Sequence, residues 1–223
     1  MVLRVKRDLD GSSGRTGPGG VPVVGSNAAP SDSVSRALDA AEDLIYARGV
    51  QSVGMDEIRD RSGVPLKRLY QLFSSKENLV VAVLERRDTR WHERLGAYVD
   101  GVADPQSRVL AVFDWLGEWF AEPGFRGCAW INTNGEMGAV SPAVADQARR
   151  HKATFKRYLG QLVVDAGLPP RLTDQLALLA DGAMADAGIF ATAESASRAR
   201  EAAGTLIQAA RGKPRHRGST RRR

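Results

Sequence analysis

A chain of 223 residues, 43% of them apolar, is long enough to bury the core of one ordinary domain plus a small one, and its single cysteine, Cys128, excludes an internal disulfide framework. No apolar run approaches the roughly 20 residues that cross a bilayer, and "MVLRVKRDLDGSSG" lacks the apolar core of a secretion signal, so a cytoplasmic protein with no membrane partner is expected. The net charge of +6 sits in "RGKPRHRGSTRRR", which holds seven cations and no acid; subtracting those seven leaves −1, so any case for nucleic acid rests on particular positions.

Residues 1–32, including "GSSGRTGPGGVPVVGSNAAP", are rich in glycine, proline and serine without apolar periodicity and read as a disordered arm. From Ser33 the texture changes. Val34, Ala37, Leu38, Ala41, Leu44 and Ile45 recur at three- and four-residue steps and predict a helix that ends near Arg48 and Gly49. Asp56 to Arg61 predict a second, short helix, with Gly54 at the capping position and Glu57 three residues on. The turn "RSGV" follows, in which Gly63 permits a positive φ and Val64 can plug the gap between helices. Pro65 opens a third helix, and Ser74 or Ser75 caps a much longer fourth with Glu77 in its first turn.

The remainder also reads as helices: "PQSRVLAVFDWLGEWFAE", "SPAVADQARRHKATFKRYLGQLVVDAG", "RLTDQLALLADGAMADAGIFA" and "SASRAREAAGTLIQAAR". Between them, "PGFRGCAWINTNGEMG" and "LPP" are interruptions where glycine and proline break the pattern. No alternating strand pattern competes, so the expected fold class is all-α.

A helix, a tight glycine turn and a second helix form the arrangement that lays one helix across a DNA backbone and places the next in the major groove. In the third helix Leu69, Leu72 and Phe73 supply a buried side and leave Lys67, Arg68 and Gln71 outward. These side chains are chemically able to read base edges: cations donate to guanine, and glutamine pairs with adenine. On spacing alone, a solvated face of ordinary three-helix packing remains an equal alternative.

"DEIRDRSGVPLKRLYQLFSSKENLV" resembles the signature of TetR-family transcriptional regulators, in which a short turn, an L-Y dipeptide, a phenylalanine three residues after the tyrosine and an S-K-E-x-L run follow in that order. Gly63, Val64, Leu69, Tyr70, Phe73, Ser75, Lys76, Glu77 and Leu79 match, as does the preceding "ALDAAEDLIYARGV". The resemblance implies that Tyr70 and Lys76 touch phosphates while outward residues of the third helix meet bases. Three positions depart from the pattern. Gly54 stands where the family usually has a serine or threonine that caps the second helix and contacts phosphate, Pro65 replaces a serine cap, and Lys67 and Arg68 replace smaller residues.

The resemblance further implies a helix-turn-helix domain over 33–80 and a helical ligand-binding and dimerisation domain over 81–210; composition adds a basic disordered tail over 211–223. The expected partners are a palindromic double-stranded DNA operator, a second copy of the chain and a small-molecule inducer. Trp115, Trp119, Trp130 and Phe155 are candidate walls of an inducer cavity, with Asn132 and Asn134 as orienting groups. Leu172, Leu176, Leu179, Ala183, Phe190 and Leu206 are candidate dimer contacts. His92, His151 and His216 are widely spaced with no paired pattern, so no metal and no cofactor are expected, and no catalytic constellation is found. The expected function is a repressor released by its ligand. An activator, a regulator without inducer, and a nonspecific DNA binder acting through the tail are the alternatives.

Overall fold

A computed structural model describes residues 30–211 and contains, among them, nine helices and no strand, in agreement with the all-α expectation. The helices are α1 (Pro30–Arg48), α2 (Met55–Ser62), α3 (Leu66–Phe73), α4 (Lys76–Asp100), α5 (Pro105–Phe120), α6 (Ala129–Met137), α7 (Pro142–Asp165), α8 (Leu172–Phe190) and α9 (Glu194–Arg211). None of them is long and apolar enough to cross a membrane. The expected arm, apart from its last residues, and the expected tail beyond Arg211 lie outside the described residues.

α1, α2 and α3 pack with the start of α4 into a head whose core contains Ala37, Ala41, Ile58, Val64 and Leu69, all fully buried. The α2–α3 turn depends on Gly63, which adopts φ +65° and donates its N–H to the Arg59 carbonyl at 2.9 Å. Ser62 Oγ accepts the Val64 N–H at 3.1 Å, which directs the Val64 side chain inward. The chain then breaks sharply after α3: Ser74 takes φ +55°, and Ser75 caps α4 by accepting the Asn78 N–H at 3.1 Å.

α4 runs 25 residues without interruption from this head into the body. There Trp91 meets Trp115, Trp119 and Phe155 edge-on at ring separations of 5.1, 5.9 and 5.4 Å. A polar seam lies along the contact of α4 with α7. Ser141 donates to Glu77, Gln147 donates to Glu85 at 2.5 Å, and His151 Nδ1 meets Asp88 Oδ1 at 2.6 Å. Burial, opposed by the Asp88 hydrogen bond, pushes the His151 imidazole down to about 4, so it is neutral at pH 7.

One expected interruption is a helix. α6 lies inside "PGFRGCAWINTNGEMG", although asparagine and glycine are poor helix formers. Packing overrides propensity here: Ala129, Trp130 and Thr133 are buried beneath α7.

α8 and α9 pack on α5 at the far side of the body. At the end of α8, Gly188 lies so close to Gly127 that a Cβ would stand 2.9 Å from Gly127 Cα and 3.1 Å from its nitrogen. Both are backbone atoms with no freedom to yield. Gly188→Ala is therefore expected to cost about 2 kcal/mol, which lowers the thermal midpoint by roughly 5 °C. Gly96→Ala, where a Cβ meets nothing within 4 Å, is expected to be neutral or stabilising. Equal melting of the two variants in a calorimeter would contradict this account of the contact.

Candidate nucleic-acid interface

α3 is an eight-residue helix with two chemically different sides. Leu69 and Phe73 are buried, and α3 packs on α2 and α4, which fixes the helix from behind. Lys67 and Gln71 are exposed, Tyr70 is 46% exposed, and Arg68 is partly exposed. Arg68 Nη1 donates to Gln71 Oε1 at 3.4 Å, a long bond that gives up little when either group finds a base edge. The residues singled out in α3 thus share one outward surface.

The flanking groups are placed differently from one another. Gly54 is the exposed N-cap of α2 and has no side chain to cap it, so the first N–H groups of α2 have no side-chain cap among the described residues. Pro65 occupies the N-cap position of α3, one residue before the helix, also without a side-chain bond. Lys76, the first residue of α4, donates its ammonium to the Val50 carbonyl at 2.6 Å. That bond ties the α1–α2 loop to α4 and leaves a positive charge at the N-terminal end of α4, where the helix already attracts anions.

The head meets the body through a junction that sequence periodicity did not reveal. Glu42 of α1 accepts from Arg86 at 3.1 Å and Arg87 at 2.8 Å, and also from Arg90, all on α4. Tyr46 donates its hydroxyl to the Gly127 carbonyl at 2.8 Å and accepts the Arg126 N–H at 3.0 Å. The Arg87 guanidinium lies 4.1 Å above the Tyr46 ring. Glu136 of α6 accepts the Gln51 N–H at 3.0 Å, so α6 grips the loop after α1. The signal was present as acids and arginines at helical spacing on α1 and α4, but their pairing is a tertiary fact.

Two adjoining clefts open at this junction. One, of about 380 Å³, is lined by Ile45, Tyr46, Arg87, Ala129, Asn132 and Glu136 among others. The second, of about 600 Å³, includes Glu42, Tyr46, Arg90, Trp91, Trp119 and Phe125. Of the candidate inducer residues, Asn132 lines the first cleft and Trp119 the second. Trp115, Trp130 and Phe155 line neither; they are buried in packed core, where Trp130 stacks on His151 at 3.5 Å. Asn134 is exposed on α6 and lines neither cleft. Trp91, at the centre of the aromatic cluster, was absent from the sequence-based set.

The candidate dimer residues also divide. Leu172, Leu176 and Ala183 are buried in the chain's own core, not offered to a partner. Leu179 and Leu206 are half-buried, and Phe190 is exposed. The outward face of α8 instead presents Leu178, Gly182, Ala185 and Ile189 at steps of four, three and four residues. α8 is apolar on more than one face, so periodicity alone did not separate the two stripes. A shallow groove of about 290 Å³ between α8 and α9, lined by Leu178, Gly182, Arg198 and Ala202 among others, runs beside that face.

Comparison with known proteins bears on both parts of the chain. Residues 37–83 match the family model described as bacterial regulatory proteins, tetR family. The HTH-type transcriptional activator FasR of Mycolicibacterium smegmatis is 40% identical over 112 residues, which is 50% of this chain and 50% of that protein. The HTH-type transcriptional repressor NemR of Escherichia coli is 30% identical over 112 residues, 49% of this chain and 56% of that one. The chain thus spans about half the length of the curated relatives it matches. The crystal structure of SCO4454, a TetR-family transcriptional regulator from Streptomyces coelicolor, superposes with a TM-score of 0.73 at 28% identity, covering 81% of this chain and 91% of that one. With a reading head that matches in sequence and a helical body that matches in shape, residues 37–83 form a domain of the tetR family of bacterial regulatory proteins, and the described chain has the fold of TetR-family regulators.

Proposed function

We propose that the chain is a sequence-reading DNA-binding regulator of transcription that acts as a dimer, with 33–80 as the reading domain and 81–210 as the body. The observation that carries this reading is α3: a helix fixed from behind by Leu69 and Phe73, bearing Lys67, Arg68 and Gln71 on its free side, within the segment that matches the family. Lys67, Arg68 and Gln71 meet base edges. Tyr70 and Lys76 contact phosphates, and the open α2 terminus at Gly54 receives another through backbone N–H groups alone. The outward stripe of α8, together with α9, pairs two copies about a two-fold axis, and the operator is accordingly a palindrome with half-sites spaced by whole helical turns.

Selection of bound fragments from genomic DNA tests this reading, and recovery of no enriched sequence would overturn it. Within such a selection, Arg68→Ala is expected to relax preference at one position per half-site, a loss of about 1–3 kcal/mol in discrimination. Tyr70→Phe removes only a phosphate-directed hydroxyl and is expected to weaken all sequences alike, by a few-fold. Identical profiles for the two variants would refute the division of roles.

The direction of regulation we propose is repression, relieved by a small amphipathic molecule. NemR is described as a repressor and FasR as an activator, so similarity by itself favours neither. The clefts at the junction favour a ligand response, because a molecule held there touches α1 of the head and α4 and α6 of the body together. Such a ligand acts by binding one head-to-body arrangement more tightly than another.

A further inference from the structure

We propose that Asp88, His92 and His151 form a binding site for a divalent transition metal of the zinc class, bridging α4 and α7. Asp88 and His92 stand four residues apart on one face of α4, and His151 reaches them from α7. Asp88 Oδ1 lies 2.6 Å from His151 Nδ1 and 3.2 Å from His92 Nδ1. One donor atom from each of the three lies within 4.8 Å of the other two. Tetrahedral Zn²⁺ with ligand bonds near 2.0–2.1 Å sets its donors about 3.3 Å apart, so both Asp88 distances are within about 0.7 Å of what the ion requires.

A second observation points the same way. His92 Nε2 is buried with no hydrogen-bond partner among the described residues, as are the indole nitrogens of Trp91 and Trp130. These two rings pack against the histidines, Trp91 at 5.0 Å from His92 and Trp130 at 3.5 Å from His151. Three polar nitrogens without partners around one acid and two imidazoles is a costly arrangement for a cluster that serves hydrogen bonding alone. A bound ion with its own water supplies acceptors and fixes the ring orientations.

The donor set, two imidazole nitrogens and one carboxylate, suits Zn²⁺, Co²⁺ or Ni²⁺ rather than Ca²⁺ or Mg²⁺. His151 is fully enclosed, while Asp88 and His92 retain partial exposure, which gives the ion a path and leaves a fourth position for water. One turn away, Gln147 donates to Glu85 and holds the same two helices in register beside the site.

The test uses the full chain without an affinity tag, stripped by EDTA and titrated with Co²⁺ and then Zn²⁺. One equivalent of Co²⁺ per chain is expected, with the visible absorption of a four-coordinate nitrogen and oxygen site that Zn²⁺ abolishes. The thermal midpoint should rise as metal is added. His92→Gln and Asp88→Asn, both at partly exposed positions, should keep the helix content and weaken Co²⁺ binding by about 100-fold or more, since each removes a direct ligand. The absence of saturable one-equivalent binding would overturn the proposal. So would binding that both folded variants retain, which would place the metal elsewhere, such as at the tail histidine.

Discussion

Ile189→Glu combined with Leu178→Glu is expected to yield a folded monomer that no longer retards operator DNA. The two side chains are 76% and 72% exposed, on the outward face of α8, with only Gly182 and Ala185 between them. Apolar residues of this size, aligned on one side of a helix with small residues between, favour close approach of a second helix. Burying one such side chain stabilises association by about 1.5–3 kcal/mol. A two-fold interface uses each position twice, so the double variant forfeits four contacts and brings four carboxylates together. The dimer dissociation constant is expected to rise by at least about 1,000-fold, equivalent to about 4 kcal/mol. Sedimentation at micromolar concentration measures this, and circular dichroism checks that the body remains folded. Operator binding falls with it, because a single head makes half of the contacts. A parent protein that sediments as a monomer, or a double variant that stays dimeric, would sink the assignment of this face.

Glu42→Ala is expected to be the most damaging single change at the junction of head and body. The carboxylate is 12% exposed on its side chain and is gripped by Arg86, Arg87 and Arg90 from successive turns of α4. Arg86 has a second acid in Asp39, at 2.8 Å; Arg87 has no second acid among its ion pairs in the described residues. Removing Glu42 strands the enclosed Arg87 charge, and leaving a buried ion without its partner costs several kcal/mol in general. Partial exposure of Arg86 and of the more open Arg90 reduces that here to about 2–3 kcal/mol. Urea unfolding monitored at 222 nm reads the loss directly. Hydrogen exchange should locate it in α1 and the facing turns of α4, with α8 and α9 unchanged. A loss below about 0.5 kcal/mol would show that the arginines find other partners.

Much of the head was legible in the sequence because its determinants are local. Gly63 at a positive φ, Val64 behind it, and Leu69 and Phe73 four residues apart on α3 follow rules of turn and helix chemistry acting over a few residues. Where two neighbouring signals competed, Ser74 or Ser75, the structure gives the α4 cap to Ser75, while Ser74, at φ +55°, closes α3. The body was legible as helices but not as faces. α8 carries leucine or alanine on several sides, so Leu176 and Leu178 look equivalent in a periodic reading, yet one is fully buried and the other stands outside. α6 was hidden by its asparagines and glycines. The Asp88–His92–His151 group was hidden by separation, because His151 lies 59 residues beyond His92 and only the contact of α4 with α7 joins them. The same holds for the clefts, whose walls come from α1, α4 and α6.

The unbroken length of α4 gives small motions mechanical gain. At 1.5 Å per residue, its 25 residues make a rod of about 37 Å. If the body end acts as a pivot, a swing of only about 5° carries the tip by about 3 Å, close to the 3.4 Å rise of one nucleotide step. Two such tips moving apart in a symmetric pair double that error, enough to take α3 of one copy out of register with its half-site while the other stays seated. A kink or a flexible joint anywhere along the rod would absorb the swing. In the proposed DNA-bound pair, the unbroken length of α4 makes an angular change of a few degrees in the body legible at the DNA.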